Sequence, residues 1–186
     1  MRIGVYCSAK DSISEEYLKI GDTLGEWIGS QGHALVFGGA TGGLMSRVSN
    51  ATKVNGGHVI GVIPPRIVQM GRKAECCDEL IDVGDMAERK RVMREQAECF
   101  VCLPGGYGTL DEMFDVIASG TVGEHRKPIY IVNYKGFYEL LKAQTDKMKE
   151  QNFIPEQEHY KPIFVNSIEE VIDEINTLKK TGEIKQ

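Results

Sequence analysis

No run of apolar residues in this 186-residue chain approaches the length of a membrane span, so no transmembrane anchor is expected. The opening residues, Met1 to Cys7, are too short a run and too soon followed by polar residues to read as a secretory signal. Cysteine is sparse and odd in number: five in all, with Cys76 and Cys77 adjacent. Their spacing matches no zinc pattern, and His33, His58, His125 and His159 add no matching ligand spacing, so no metal site is predicted. Reduced, structural thiols fit a cytoplasmic protein. An excess of basic residues is missing too. The net charge of −5 argues against a nucleic-acid binder that works through bulk electrostatics, which still leaves room for local anion sites. No internal repeat or low-complexity linker divides the chain, and its length suits one domain, residues 1–186.

What is present is a rhythm. Short apolar runs, rich in β-branched residues, fall at Ile3 to Cys7, Ala34 to Phe37, Val59 to Ile63, Cys99 to Leu103, Ile129 to Asn133 and Ile163 to Val165. Continuous apolarity of this kind marks strands covered on both faces. Between them lie helical patterns at Ser14 to Gly29, Leu44 to Val54, Met86 to Ala97, Leu110 to Ser119, Phe137 to Gln151 and Ile168 to Lys179. Strand and helix in alternation predict an α/β fold: a three-layer, doubly wound parallel sheet of Rossmann-like type. The segment from Pro64 to Asp78 breaks the rhythm and reads as a loop or irregular helix near a cleft.

Two strand-to-helix junctions are glycine-rich: Gly38-Gly39-Ala40-Thr41-Gly42-Gly43 and Gly105-Gly106-Tyr107-Gly108-Thr109. Each can turn N–H groups toward an anion at a helix N-terminus, where the helix dipole favours negative charge. Either could instead be a turn that needs φ > 0; the pair together, in one small α/β domain, favours a phosphate site. A dinucleotide fingerprint would put Gly-x-Gly-x-x-Gly after the first strand, yet Cys7-Ser8-Ala9-Lys10 stands there. A Walker A loop would need a Gly-Lys-Ser/Thr ending, and neither loop has that lysine. A mononucleotide fits better than NAD or ATP.

Two acids follow the second loop. Thr109 with Glu112 fits a capping box, Thr at the N-cap and Glu three residues on. On a helical wheel Leu110, Met113, Phe114 and Ile117 form the apolar stripe, and Glu112 projects away from it, toward solvent or a cleft. In the helix from Met86, Arg91 and Arg94 read as a solvated face. Arg89 falls within the apolar stripe, where a guanidinium needs a carboxylate or phosphate partner because an unpaired buried charge is costly.

The stretch Pro104-Gly105-Gly106-Tyr107-Gly108-Thr109-Leu110-Asp111-Glu112 resembles the Pro-Gly-Gly-x-Gly-Thr-x-x-Glu signature of the LOG ("lonely guy") family, cytokinin riboside 5′-monophosphate phosphoribohydrolases also labelled lysine decarboxylase-like. Gly38 to Met45 resembles the family's other glycine loop, and Met86 with Arg89-Lys90 its Met-x-x-Arg-Lys. Gly61-Val62-Ile63-Pro64 and Arg126-Lys127-Pro128 agree in order and spacing, and the resemblance runs from about residue 3 to 175. It implies release of a free base from a purine nucleoside 5′-monophosphate, giving ribose 5-phosphate, with no cofactor and in a homodimer. By matching position Arg89 and Glu112 would be the catalytic pair, Arg89 orienting substrate or supporting the departing base. Lys90, Gly105, Gly106, Tyr107, Gly108 and Thr109 would contact substrate, as would Gly39, Ala40, Thr41 and Gly42 of the first loop. Asp111 would be a bystander.

The chain departs from the pattern at Ala87, where relatives often carry histidine, and at Met70-Gly71, where they often carry Arg-Glu. Ala118-Ser119 stands for Thr-Trp, and Ser46 for the glycine after Leu-Met. The phosphate and ribose machinery is thus kept while recognition positions change, and plain adenine joins N6-modified adenine as the expected base. A non-catalytic nucleotide carrier on the same fold is the alternative. Pyridoxal-phosphate decarboxylation would need a Schiff-base lysine, and the sequence singles none out.

Overall fold

The computed structural model describes residues 1–155 and 160–181; His159 lies outside the described residues. Among the described residues seven strands form one parallel sheet: β1 (Arg2–Tyr6), β2 (Ala34–Phe37), β3 (His58–Ile63), β4 (Glu79–Asp82), β5 (Cys99–Cys102), β6 (Ile129–Val132) and β7 (Ile163–Val165). Six α-helices among the described residues connect them, α1 (Glu15–Ser30), α2 (Gly43–Val54), α3 (Pro65–Gln69), α4 (Met86–Gln96), α5 (Tyr107–Thr121) and α6 (Glu139–Glu150), and α7 (Ile168–Thr181) follows the last strand. The order across the sheet is β4-β3-β2-β1-β5-β6-β7. Ile3 therefore pairs with Leu35 on one side and with Cys99 on the other. The winding reverses between β1 and β5, and in open α/β sheets that switch point, at the carboxyl ends of the strands, is where ligands bind.

Alternation along each strand explains the two cores. Ile3, Val5, Leu35, Phe37, Cys99 and Val101 point to one face and pack with Leu24 and Ile28 of α1, Val48 of α2 and Val171 of α7. Val36, Ile60, Val62, Phe100 and Cys102 point to the other and meet Met93 of α4 with Met113 and Val116 of α5. With both faces covered, the strands have no polar side, which is why they read as unbroken apolar runs.

Three differences from the sequence expectation bear on the site. β4 was not among the six predicted strands: Glu79-Leu80-Ile81-Asp82 is short, half acidic and lies at the sheet edge, so it lacks the apolar signature of the central strands. The segment Pro64 to Asp78 is the loop with a short helix that was expected near a cleft, and what the sequence did not show is its antiparallel bridge between Ala40 and Lys73, beside the one-turn α3. Most consequentially, α5 begins at Tyr107 with Gly106 as N-cap and no capping side chain, so Thr109 is not the cap and the capping box is not formed. The buried face of α5 carries Thr109, Glu112, Met113 and Val116, while Phe114, expected inside, is 46% exposed. Glu112 is thus on the inward face rather than projecting from it.

Candidate active site

A cleft of about 370 Å³ opens over the carboxyl ends of β1 and β2. One end is the N-terminus of α5, Gly106 to Thr109; the other holds Ala40, Met45, Ile67 and Arg72, with Cys7 to Lys10 between. Arg89 and Glu112 line its depth.

Local sequence explains how Arg89 gets there. Asp85 caps α4, its carboxylate accepting from the Glu88 N–H at 2.8 Å, and this fixes the helix start one turn before Arg89. From that turn the side chain crosses the ends of β3 and β2. Its Nε donates to the Val62 carbonyl at 3.0 Å, Nη2 to the Gly38 carbonyl at 3.0 Å, and Nη1 to Glu112 Oε1 at 2.7 Å. Gly38 is glycine because a Cβ there would collide with Arg89 Nη2. The buried charge in the apolar stripe has found its carboxylate, and both partners are almost inaccessible, 5% and 3% exposed. Burial pushes the Glu112 carboxyl up to about 7, against the pull of the Arg89 guanidinium. The group therefore changes charge near neutrality, a property suited to proton transfer.

The two glycine loops play different parts. In the second, Gly105 is needed because Thr109 packs directly on its Cα, leaving no room for a Cβ. Gly106, Tyr107, Gly108 and Thr109 line the cleft, and no side chain caps this helix end. In the first loop the three amides nearest α2 are already taken. The Thr41 N–H donates to the Arg72 carbonyl at 2.7 Å, Gly42 N–H to Ser46 Oγ at 2.7 Å, and Gly43 N–H to Asp11 Oδ1 at 2.8 Å. The helix end of α2 thus carries its own hydroxyl and carboxylate, and Ala40 alone of Gly39 to Gly42 lines the cleft. Ser46, the unusual residue after Leu44-Met45, is the hydroxyl that fills one of these donors.

Lys90 lies outside the cleft. Its Nζ donates to Asp111 at 2.7 Å and lies 3.8 Å from Asp115, and the Asp111 bond holds the ammonium above its ordinary range. Asp111 is therefore the partner of Lys90. Arg94, expected in solvent, pairs with Asp115 and Glu124 and ties α4 to α5, whereas Arg91 stays on the surface with Glu95 and Glu88. Sequence reasoning missed Cys7 to Lys10 and Met45 of the lining, and with them Arg72 and Ile67. The last two belong to the irregular segment expected near a cleft, but no local pattern singled them out.

Similarity to known proteins follows the same residues. The family model described as "possible lysine decarboxylase" matches residues 45–175. The probable cytokinin riboside 5′-monophosphate phosphoribohydrolase LOGL9 of Oryza sativa subsp. japonica is 36% identical over 92% of this chain and 78% of its own length. The cytokinin riboside 5′-monophosphate phosphoribohydrolase LOG5 of Arabidopsis thaliana is also 36% identical, over 98% and 80%. Among solved structures, the molybdenum cofactor carrier protein of Chlamydomonas reinhardtii superposes with a TM-score of 0.72 over 96% of this chain and 98% of that one. At 20% identity that likeness speaks to the fold alone. The extent of these sequence matches and the signature at Pro104 to Glu112 place the chain in the LOG family.

Proposed function

We propose that the chain hydrolyses the N-glycosidic bond of a purine nucleoside 5′-monophosphate, releasing the free base and ribose 5-phosphate. The observation that carries this reading is the buried Arg89–Glu112 pair, set about one and a half helical turns behind an uncapped helix N-terminus in the same cleft. A 5′-phosphate seated on the first N–H groups of α5 meets both the donors and the positive end of the dipole. Glu112 lies five residues beyond Tyr107, about 7.5 Å in rise, a span on the scale of that from a 5′-phosphate to the ribose C1′. Breaking the bond between C1′ and the base develops positive charge on the ribose, as in glycosidases. The carboxylate stabilises that charge and accepts a proton from the water that adds to C1′. The proton then leaves with the base, so nucleotide and water become base and ribose 5-phosphate.

Three of the five guanidinium N–H groups of Arg89 are committed to Val62, Gly38 and Glu112. Arg89 therefore acts mainly as a positioning residue, holding Glu112 in place and favouring its ionised form. The first glycine loop forms a wall of the cleft rather than a second phosphate seat. A homodimer belongs to the same proposal: Tyr107, 93% exposed, and Phe114 share an outward face of α5, flanked by the half-buried Leu110 and Ile117. An apolar row of this kind is suited to a partner copy, and light scattering on the purified protein tests it.

The experiment for the reaction is incubation with AMP, with free adenine resolved by chromatography. Stoichiometric adenine and ribose 5-phosphate support the proposal. Calorimetric binding of AMP without base release would instead indicate a carrier.

A further inference from the structure

We infer that Arg72 is the specificity-determining wall of the cleft and confines the base to an unsubstituted purine. The inference rests on the proposed reaction and concerns the wall of the cleft over β1 and β2, where the Arg72 guanidinium meets Ala9 and Thr41.

The sheet order sets the distance. α5 rises from β5, and the segment carrying Arg72 follows β3, with β1 and β2 between. Three strand spacings of about 4.8 Å separate these ends by roughly 14 Å. A phosphate at the α5 end leaves the base over β1 and β2, against Ala40, Met45 and Ile67. The Arg72 guanidinium reaches back from the β3 connection to the carbonyls of Ala9 and Thr41, and so borders the same space over β1 and β2.

The side chain there is tied to two loops. Arg72 Nη2 donates to the Ala9 carbonyl at 2.6 Å and to the Thr41 carbonyl at 2.7 Å. Its own carbonyl accepts from Thr41 N–H, and Ala74 N–H donates to the Gly39 carbonyl at 2.9 Å, so its backbone is pinned as well. Gly42 lets the guanidinium in: a Cβ at that position would lie 2.8 Å from Nη2 and 2.5 Å from the Ala9 carbonyl oxygen. Three connections, after β1, β2 and β3, thus meet on one charged group.

Chemistry then sorts the bases. A bare adenine ends in ring nitrogens and an amino group, which tolerate a guanidinium neighbour. An alkyl chain on that amino group needs apolar wall in the same place. It would either bury its carbons against a charge or displace Arg72 from two charge-assisted hydrogen bonds.

The test is kcat/KM for AMP and for isopentenyladenosine 5′-monophosphate, with calorimetric Kd values in parallel, on the wild type and on Arg72→Ala and Arg72→Met. The wild type is expected to favour AMP by about tenfold or more, the scale on which a pocket discriminates small apolar differences. Both substitutions are expected to move the ratio toward the prenylated nucleotide by at least fivefold, roughly. Arg72→Met keeps the packing stem, and the wild-type ratio is informative even if Arg72→Ala does not fold. Equal use of the two nucleotides by the wild type, or a ratio unmoved in a folded variant, would overturn the inference. Absence of base release from either nucleotide would overturn the proposed reaction, and the Kd ratio would then decide the role of Arg72.

Discussion

Glu112 is the residue on which the proposed chemistry turns, and its surroundings make its charge conditional. Its pKa is raised from an ordinary 4.5 to about 7 because burial disfavours the anion more than Arg89 favours it. The carboxylate is the form the proposed reaction uses, so kcat/KM for AMP should climb as pH rises through about 7 and level off above it. A pH–rate profile with its acid limb below pH 5 would contradict this. The effect on stability has the opposite direction. A carboxyl that holds its proton more tightly when folded contributes stability fully below 4.5, and that contribution fades as pH rises through about 7. Arg89 is tested through its neighbour. In Gly38→Ala the new Cβ invades the space of Arg89 Nη2, so the guanidinium must shift. We expect a loss of about 1–3 kcal/mol from overpacking, read by denaturant titration, together with reduced turnover although neither member of the ion pair has been changed.

At the scale of elements, the two glycine loops looked equivalent in sequence and are not. Glycine content reports that backbone can approach something closely; it does not report what. For Gly38 the close neighbour is Arg89, and for Gly105 it is Thr109. The capping of α2 by Ser46 and Asp11 depends on side chains that reach its end from one turn inside the helix and from the β1–α1 loop, a relation that spacing alone does not encode. Replacing Ser46 with Ala should destabilise the fold by about 1 kcal/mol, the usual effect of losing a capping oxygen, and leave KM for AMP nearly unchanged. A several-fold rise in KM would return the first loop to the phosphate. The stripe of α5 was misplaced for a related reason. Phe114 is as apolar as a core residue, but it faces outward, while the charged Glu112 faces in. Apolarity marks surfaces that something covers, and the core is only one such cover.

Across the whole molecule, the layered sheet was legible because its central strands are buried on both faces and its helices are periodic. The edge strand β4 was not, because half of its residues are acidic. The proposed catalytic pair was legible in part: Arg89 announced itself by sitting in an apolar stripe, and Glu112 by the signature that precedes it. Their mutual contact joins residues 23 apart in sequence on two helices, and only the packing of α4 beside α5 reveals it. Arg72 belongs wholly to tertiary structure, since its role arises from three connections converging over the sheet. The central claim is that this buried carboxylate drives glycosidic cleavage. It is tested most directly by the rate of adenine release from AMP by the wild type and by Glu112→Ala, each first shown to be folded. The account predicts stoichiometric adenine and ribose 5-phosphate from the wild type and a rate lower by about 10²–10³ in the variant; near-wild-type turnover in Glu112→Ala would contradict it.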